Sequence, residues 1–408
     1  MQLRLRDWRL PVLIVASLVF AWLAGGRLPY FLLWLGLGVT GGALYWTAYG
    51  LRKVIGEWKV NRHEAAVGEP VELTLRLENE GILPLPWLEL DDETPSNLVA
   101  SDAPKQATHL PLLGSRIVRF TVRPKRRGFY ELGPVRLRLG DGLGLAQGER
   151  LIGSPVRLTV YPRIVPIQSL NLALGLPFGP VRTRERAFED PANPSEIRPY
   201  RPGDNPRQIH WKTTARRGEL MLREYELNAA ASLLVVPDLQ AGAPIEASEL
   251  AIELGASLAA WGLRQKIEVG LISHGAERVI AQPSRGERSF REVLEGLTRA
   301  EASGILPLAR VLEQESALFG ARATLAVITS KIDHQLVDVL LRLRPRHPIM
   351  LFWVDAWAVG ATFPREETYA ILHLLERKRI AVFTLPIEAD LRQLDQYRLN
   401  PTEGVTAQ

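Results

Sequence analysis

The sequence predicts a multidomain protein: an N-terminal transmembrane helical hairpin, an antiparallel β-sandwich-like domain and a C-terminal doubly wound α/β domain. Three observations lead to this prediction. Two uncharged apolar runs lie close together near the N-terminus, short segments that alternate apolar and polar residues follow, and the last part alternates strand-like and helix-like runs.

The two apolar runs predict a membrane hairpin over residues 1–53, with helices at about residues 9–26 and 28–50. The second run is long enough to cross a bilayer, whereas the first is marginal. A G-x-x-x-G motif, Gly38 to Gly42, lies in the second run and indicates close helix packing. We expect this packing within the hairpin itself.

The distribution of basic residues predicts the orientation of the hairpin. Basic residues precede the first run and follow the second, whereas the turn between them holds only Arg27. The positive-inside rule therefore predicts a multi-pass protein of the cell (inner) membrane with cytoplasmic soluble domains. A signal peptide is the alternative interpretation of the first run. It is disfavoured because the second run would still anchor the chain.

Residues 54–163 predict a β-rich, sandwich-like domain. Residues 70–79 alternate apolar and polar side chains, and residues 116–123, 135–139 and 156–161 repeat the pattern. Several short strands at this spacing are typical of an antiparallel sandwich. Since no catalytic constellation occurs here, we interpret the domain as a spacer that lifts the next domain off the bilayer.

Residues 231–398 predict the doubly wound α/β domain, and residues 399–408 a flexible tail. Strands are predicted at residues 232–236, 267–272, 323–329, 349–354 and 380–386, and helices at residues 244–264, 287–302, 306–319, 333–343 and 365–378. The strands are continuous apolar runs, which suits a parallel sheet covered on both faces. Ser284 and Glu287 have the spacing of a capping box, and Asp333 is expected to cap its helix.

The composition excludes several function classes. The chain has no cysteine, which excludes disulfides, Cys-ligated zinc, iron–sulfur clusters and a thiol nucleophile. A net charge of +5 suits an anionic membrane surface but falls short of the charge excess of a nucleic-acid binder. The seven histidines include no pair at the spacing of metal ligands.

Residues 164–230 predict a linker followed by a basic segment that three interpretations can explain. Nucleic-acid binding would use its arginines and aromatics, but acidic residues offset much of the charge. Hydrolysis would use His210 as a base oriented by Asp204, but no G-x-S-x-G motif accompanies them. The favoured interpretation is structural: Asp204 caps a helix over residues 206–215, and the arginines form ion pairs within the domain or with a partner.

This segment carries a resemblance to a known family. From Arg198 to Leu220 the chain reads RPYRPGDNPRQIHWKTTARRGEL, which resembles the signature of a bacterial family known as domain of unknown function number fifty-eight. A second feature is similar over residues 127–134 and 141–145, although the latter departs from the usual Asp-Pro-Phe-Gly-Leu at two positions. The resemblance implies a membrane hairpin, a β-rich region and a C-terminal domain like von Willebrand factor type A.

The resemblance implies a role rather than an activity, because the family has no established one. Its members tend to be encoded beside MoxR-type AAA+ ATPases and transglutaminase-like membrane proteins. The implied function is a non-enzymatic, membrane-anchored scaffold or adaptor for such an ATPase, in envelope assembly or a stress response, with the transglutaminase-like protein as a further partner and no nucleic acid. A hydrolase that uses Asp204 and His210 remains the alternative.

The candidate contact residues all lie in the signature. For contact with a partner or with the neighbouring domain we name Arg201, Asp204, Arg207, His210, Trp211, Lys212, Arg216 and Glu219. Tryptophan and arginine often dominate the energetics of interfaces. A charge reversal at Arg207 would distinguish the two roles. Loss of partner binding with an unchanged melting temperature would indicate an interface, whereas unfolding would indicate a structural role.

Mg²⁺ is the one cofactor that the resemblance suggests. Von Willebrand A domains often bind Mg²⁺ through Asp-x-Ser-x-Ser after the first strand. Here Asp238 keeps the first position, but Gln240 and Gly242 replace the serines. Asp333 is the second candidate ligand. Because two ligands are lost, we expect no metal and no other cofactor.

Overall fold

The computed structural model describes most of the chain, namely residues 2–5, 9–91, 98–100, 106–168, 170, 194–199, 209–225, 232–320, 323–360 and 365–399. The chain divides into two compact units, Met1–Arg163 and Ile164–Gln408. The narrower domain bounds that the sequence predicts stay predictions.

The first unit begins with a short strand and two apolar helices: β1 (Gln2–Leu5), α1 (Arg9–Ala24) and α2 (Arg27–Lys53). By length and composition α2 can cross a membrane, and the apolar part of α1, Pro11–Ala24, is shorter. Only 17% of the most apolar window of α2 is buried, whereas the core helix of a soluble protein is mostly buried. Both helices expose large apolar side chains, including Leu13, Phe20, Leu23, Phe31 and Trp34.

The expectation that Gly38 and Gly42 pack within the hairpin is wrong. A Cβ atom at either position would have no neighbouring atom within 4 Å. The buried residues of α2 include Leu33, Thr40 and Ala43. Residues two positions apart in a helix point in nearly opposite directions. Thr40 therefore faces inward, while Gly38 and Gly42 face away.

The rest of the first unit is β structure, antiparallel as predicted except for the parallel pair β3–β12. Its strands are β2 (Val54–Val60), β3 (Glu64–Ala66), β4 (Val71–Asn79), β5 (Leu85–Asp91), β6 (Leu98–Ala100), β7 (Gln106–Leu110), β8 (Ser115–Pro124), β9 (Gly128–Leu132), β10 (Val135–Gly140), β11 (Ala146–Ile152) and β12 (Val156–Tyr161). They form sheets of order β1-β11-β10-β5-β7, β2-β4-β8-β6 and β3-β12-β9. Side chains of the two larger sheets share one apolar core, in which β4 buries every second residue, as its alternation predicts.

The signature segment forms a small antiparallel motif in the second unit. Strands β13 (Pro194–Pro199) and β14 (Met221–Tyr225) pair, and the short helix α3 (Trp211–Arg217) precedes β14. The start of the predicted linker and basic segment, residues 164–230, contains packed residues. Val165 donates its N–H to Ser257 Oγ at 3.0 Å, and both Val165 and Ile167 are buried.

A six-stranded sheet with helices on both faces completes the second unit. The elements are β15 (Ser232–Pro237), α4 (Ile245–Arg264), β16 (Glu268–His274), β17 (Arg278–Ser284), α5 (Glu287–Arg299), α6 (Leu308–Gln314), β18 (Thr324–Thr329), α7 (His334–Leu343), β19 (Ile349–Asp355), α8 (Arg365–Arg377) and β20 (Ala381–Pro386). The order is β17-β16-β15-β18-β19-β20, with every pair parallel except β16–β17. This is the predicted doubly wound sheet with one antiparallel edge strand.

Three details of the α/β domain differ from the prediction. Strand β17 was not predicted, because its mixed polar sequence around Pro283 lacks a continuous apolar run. The capping box at Ser284 is wrong, since Ser284 ends β17 and the cap position of α5 is Gly286, without a side-chain bond. The helix predicted over residues 306–319 ends at Gln314 and is followed by a 3-10 turn.

Candidate functional site

The cap of α3 is His210 rather than Asp204. His210 Nδ1 accepts the N–H of Thr213 at 3.0 Å, and the His210 N–H donates to Met221 O at 2.8 Å. Gly218 ends the helix in the left-handed conformation, with φ of 74°. Residues 209 and 210 of the helix predicted over residues 206–215 are not helical, and residues 206–208 lie outside the described part of the chain. The prediction weighed only the usual capping residues and missed that an imidazole nitrogen can accept the same bond.

This cap constrains what His210 can do chemically. Because Nδ1 accepts a hydrogen bond, the neutral ring carries its proton on Nε2. In that tautomer Nε2 is a donor rather than a base, and Nδ1 is not available to a carboxylate. Asp204 lies outside the described residues, so the proposed Asp204–His210 pair itself stays untested.

Most of α3 faces solvent. None of its seven residues is buried, and Trp211 is 68% exposed. Lys212, Arg216 and the following Glu219 are also exposed. The structure thus brings these four candidate contact residues onto one short segment, which we call the α3 surface. Arg201 and Arg207, like Asp204, lie outside the described residues.

The second cluster lies where the strand order of the α/β sheet reverses, between β15 and β18. Asp238 follows β15, and Thr329 ends β18. The carboxylate of Asp238 accepts the Gln240 N–H on Oδ1 at 3.1 Å and pairs with the Thr329 hydroxyl through Oδ2 at 2.6 Å. Thr329 was not predicted, because 91 residues separate it from Asp238 and only the parallel pairing of the strands brings them together.

A short hydrogen bond joins Thr329 to Asp238. Thr329 Oγ1 lies 2.6 Å from Asp238 Oδ2 and 2.8 Å from Lys331 O, and it accepts the Lys331 N–H at 3.0 Å. Burial raises the pKa of the Asp238 carboxyl, while bonds from Thr329 and Gln240 and the charge of Lys331 lower it.

The donor set at this edge does not fit Mg²⁺. Both oxygens of Asp238 are engaged, and Asp333 caps α7, as predicted, by accepting the Leu336 N–H at 2.7 Å. Within the described part of the chain no group of three histidine or acidic side chains could hold a metal ion. A hard cation needs several oxygen ligands. That the protein binds no metal nevertheless stays a prediction.

A third cluster was not predicted from the sequence. The buried carboxylate of Glu315, after α6, accepts Arg278 Nε at 2.7 Å and Arg278 Nη2 at 2.8 Å, and it lies 2.9 Å from His274 Nε2. The hydrogen bonds from Arg278 hold the pKa of Glu315 below its usual value, with a smaller contribution from His274, against the opposite effect of burial. Since His274 and Arg278 are cross-strand partners, the cluster ties the β16–β17 hairpin to α6.

Comparison with known proteins extends the resemblance without supplying an activity. The family described as "Protein of unknown function DUF58" matches residues 196–356, less than half of the chain. The match spans the described part of the signature, Asp238, Thr329 and Asp333. The chain is also similar to the uncharacterised protein YeaD of Bacillus subtilis, with 24% identity over 352 residues, which is 81% of this chain and 85% of that protein.

Two solved structures are each similar to about a quarter of this chain. The CARDB domain of the PF1109 protein of Pyrococcus furiosus is 12% identical, with a TM-score of 0.20, over 26% of this chain and 91% of that one. The cupredoxin domain of amoB from Nitrosocaldus yellowstonii is 13% identical, with a TM-score of 0.22, over 27% of this chain and 87% of that one.

Proposed function

We propose that this chain is a membrane-anchored, non-enzymatic interaction protein whose α3 surface binds a protein partner. The observation that carries the proposal is Trp211, which is 68% exposed on a helix that also displays Lys212 and Arg216. An exposed tryptophan beside cations is the composition of an interface hot spot.

The anchor in this proposal is the α1–α2 hairpin, with both ends in the cytoplasm. Support comes from the exposed apolar side chains of both helices and from Arg52 and Lys53 in the last turn of α2. The α/β domain is proposed to be von Willebrand factor A-like. Its doubly wound order with one antiparallel edge strand is compatible with that assignment.

The proposed partner is a MoxR-type AAA+ ATPase, with envelope assembly or stress response as the process and a transglutaminase-like membrane protein as a further member of the complex. This follows from the family resemblance in the signature. The basic α3 surface suits an acidic face on such an ATPase.

Co-purification of the full chain from its native membrane, with and without ATP, tests the proposal. Trp211→Ala is expected to reduce recovery of the ATPase by about thirtyfold, the loss typical of a hot-spot residue of about 2 kcal/mol, and Arg216→Glu is expected to reduce it as well. Matched controls are Trp357→Ala and Arg288→Glu, which alter an exposed tryptophan and an exposed arginine elsewhere in the second unit.

Recovery that is equal for Trp211→Ala and Trp357→Ala, in variants with unchanged melting temperatures, would contradict an interface at α3. Loss of folding in Trp211→Ala and Arg216→Glu would instead support the structural interpretation, in which the signature stabilises its own domain.

A further inference from the structure

We propose that three loops of the β-rich unit insert aliphatic side chains into the interfacial layer of a lipid bilayer, so that this unit lies directly against the membrane. The inference rests on the membrane anchorage proposed above and goes beyond it. It assigns a lipid-binding surface to a unit that the sequence alone presents as a spacer.

Both connections to the apolar helices leave the β structure at one end. Strand β1 ends at Leu5, which pairs with Ala146 at the start of β11, shortly before α1 begins. Helix α2 continues directly into β2, whose first residue pairs with Asn79 at the end of β4. We call this end of the β structure the helix end.

The strand register places three loops at the helix end. The loops, which we call the helix-end loops, are residues 80–84, 111–114 and 141–145. The first follows β4, the third leads into β11, and the second is joined to the first by a hydrogen bond of 3.2 Å from the Leu113 N–H to Gly81 O. Leu110 before the second loop also pairs with Leu85 after the first.

Each helix-end loop exposes aliphatic side chains where polar residues are the norm. The exposed fractions are 70% for Ile82, 55% for Leu112, 67% for Leu113 and 72% for Leu143. Leu143 is held at the tip of its loop, because Asp141 Oδ1 accepts the N–H groups of Gly144 at 2.8 Å and Leu145 at 3.1 Å. Water disfavours such a ring of side chains, whereas the boundary between head groups and acyl chains accommodates it.

Two aromatic residues of α2 set the depth of the first loop. Trp46 Nε1 donates to Pro84 O at 3.1 Å, and the Ile82 N–H donates to the Tyr49 hydroxyl at 3.4 Å. Tryptophan and tyrosine near the end of a membrane helix lie at the head-group level. Ile82 is therefore level with the interface rather than above it.

The charges and the rigidity of the helix end are also compatible with contact with a lipid bilayer. Arg52, Lys53 and Arg116 are exposed there, which suits anionic head groups, although Glu80 is an exposed acid among them. Arg150 of β11 donates to Leu51 O at 2.8 Å, so the end of α2 is bonded to the β structure. A bond at this junction opposes free rotation of the unit away from the bilayer.

Depth-dependent fluorescence quenching tests the inference on the full chain, which contains no cysteine and so accepts single labels. Leu143→Cys and Leu113→Cys carry an environment-sensitive fluorophore in vesicles of phosphatidylethanolamine and phosphatidylglycerol with brominated acyl chains. Phe129→Cys is the matched control, because Phe129 is an exposed apolar residue of the same unit in the sheet β3-β12-β9. Val39→Cys, within α2, reports on the span itself.

We expect blue-shifted, quenched emission at positions 143 and 113, stronger quenching at position 39 and none at position 129. Quenching at 39 without quenching at 143 and 113 overturns the insertion while the anchor stands. No quenching at 39 overturns the anchor and the insertion together. Ile82→Cys provides a third loop position if either leucine variant fails to fold.

Discussion

At the residue scale, His210 shows how one hydrogen bond changes the meaning of a motif. As a lone histidine near an aspartate it indicates a general base, but as the acceptor of the Thr213 N–H it is a structural cap. The two roles differ in what substitution does, because asparagine can cap a helix but cannot act as a base.

Replacing His210 tests the cap. We expect His210→Ala to accelerate amide exchange in residues 211–217 by about fivefold, since loss of a cap costs about 1 kcal/mol. His210→Asn should restore most of the protection and retain the ATPase in co-purification. Hydrogen exchange followed by mass spectrometry measures the first effect. Equal loss of partner binding in both variants would instead favour a chemical role for the imidazole.

Asp238 carries a prediction about pH. Because burial raises its pKa in the folded state, the folded chain binds more protons than the unfolded chain above the ordinary value of 3.8. The stabilisation is fully present below that value and is lost as pH rises through the folded-state pKa. Asp238→Asn mimics the protonated acid, so we expect a higher melting temperature than wild type at neutral pH.

The advantage of Asp238→Asn should shrink towards pH 4, where wild type is itself protonated more fully. Asp333→Asn is the control, because asparagine keeps the cap of α7 and should change the melting temperature little at either pH. A destabilised Asp238→Asn variant at neutral pH would show that the ionised carboxylate is what the fold requires.

At the element scale, the Glu315 cluster holds the antiparallel edge of the α/β sheet. Glu315→Gln removes the charge that Arg278 and His274 share, and we expect a loss of about 1–3 kcal/mol in the free energy of unfolding. The lowered pKa of Glu315 also makes the free energy of unfolding depend on pH. The stabilisation by Glu315 is present above the ordinary pKa of 4.5 and is lost as pH falls through the folded-state pKa.

Denaturant unfolding at neutral and acidic pH measures both effects, with the exposed pair Arg288–Glu292 as the control. Glu292→Gln should cost no more than about 0.5 kcal/mol, as exposed helix pairs do. Equal costs for the two substitutions would mean that the buried cluster contributes no more than a surface ion pair.

The spacing of apolar residues correctly predicted the elements in which that spacing is regular. The continuous apolar strands β18 and β19 and the alternating β4 were found within a residue or two, because burial on both faces or on one face leaves a periodic record. Strand β17 and the start of α3 were missed. Their placement depends on pairing with β16 and on an imidazole cap, which no local period reports.

The candidate site shows the same division. Asp238 and Asp333 could be named from the sequence, because each follows a strand, whereas Thr329 and Glu315 acquire partners only through folding. The exposure of Trp211 was also not predictable, since an aromatic residue in a basic segment is equally compatible with a buried core.

At the scale of the whole molecule, the hairpin orientation can be tested without a partner. Arg27→Cys places a thiol at the first residue of α2, next to the turn that follows α1, and we expect an impermeant maleimide to label it in intact cells from outside. Leu220→Cys, an exposed position in the second unit, should label only after permeabilisation. If Arg27→Cys is not labelled from outside, the proposed orientation is wrong or the first helix does not span the membrane.

Site-specific photo-crosslinking in native membranes tests whether the α3 surface contacts a protein partner. A photoreactive amino acid replaces Trp211 in the full chain, and the control position is Trp357. We expect an adduct with an AAA+ ATPase at position 211 and none at position 357. Crosslinks from 211 only to residues of this same chain would contradict the claim and identify the signature as an internal structural contact.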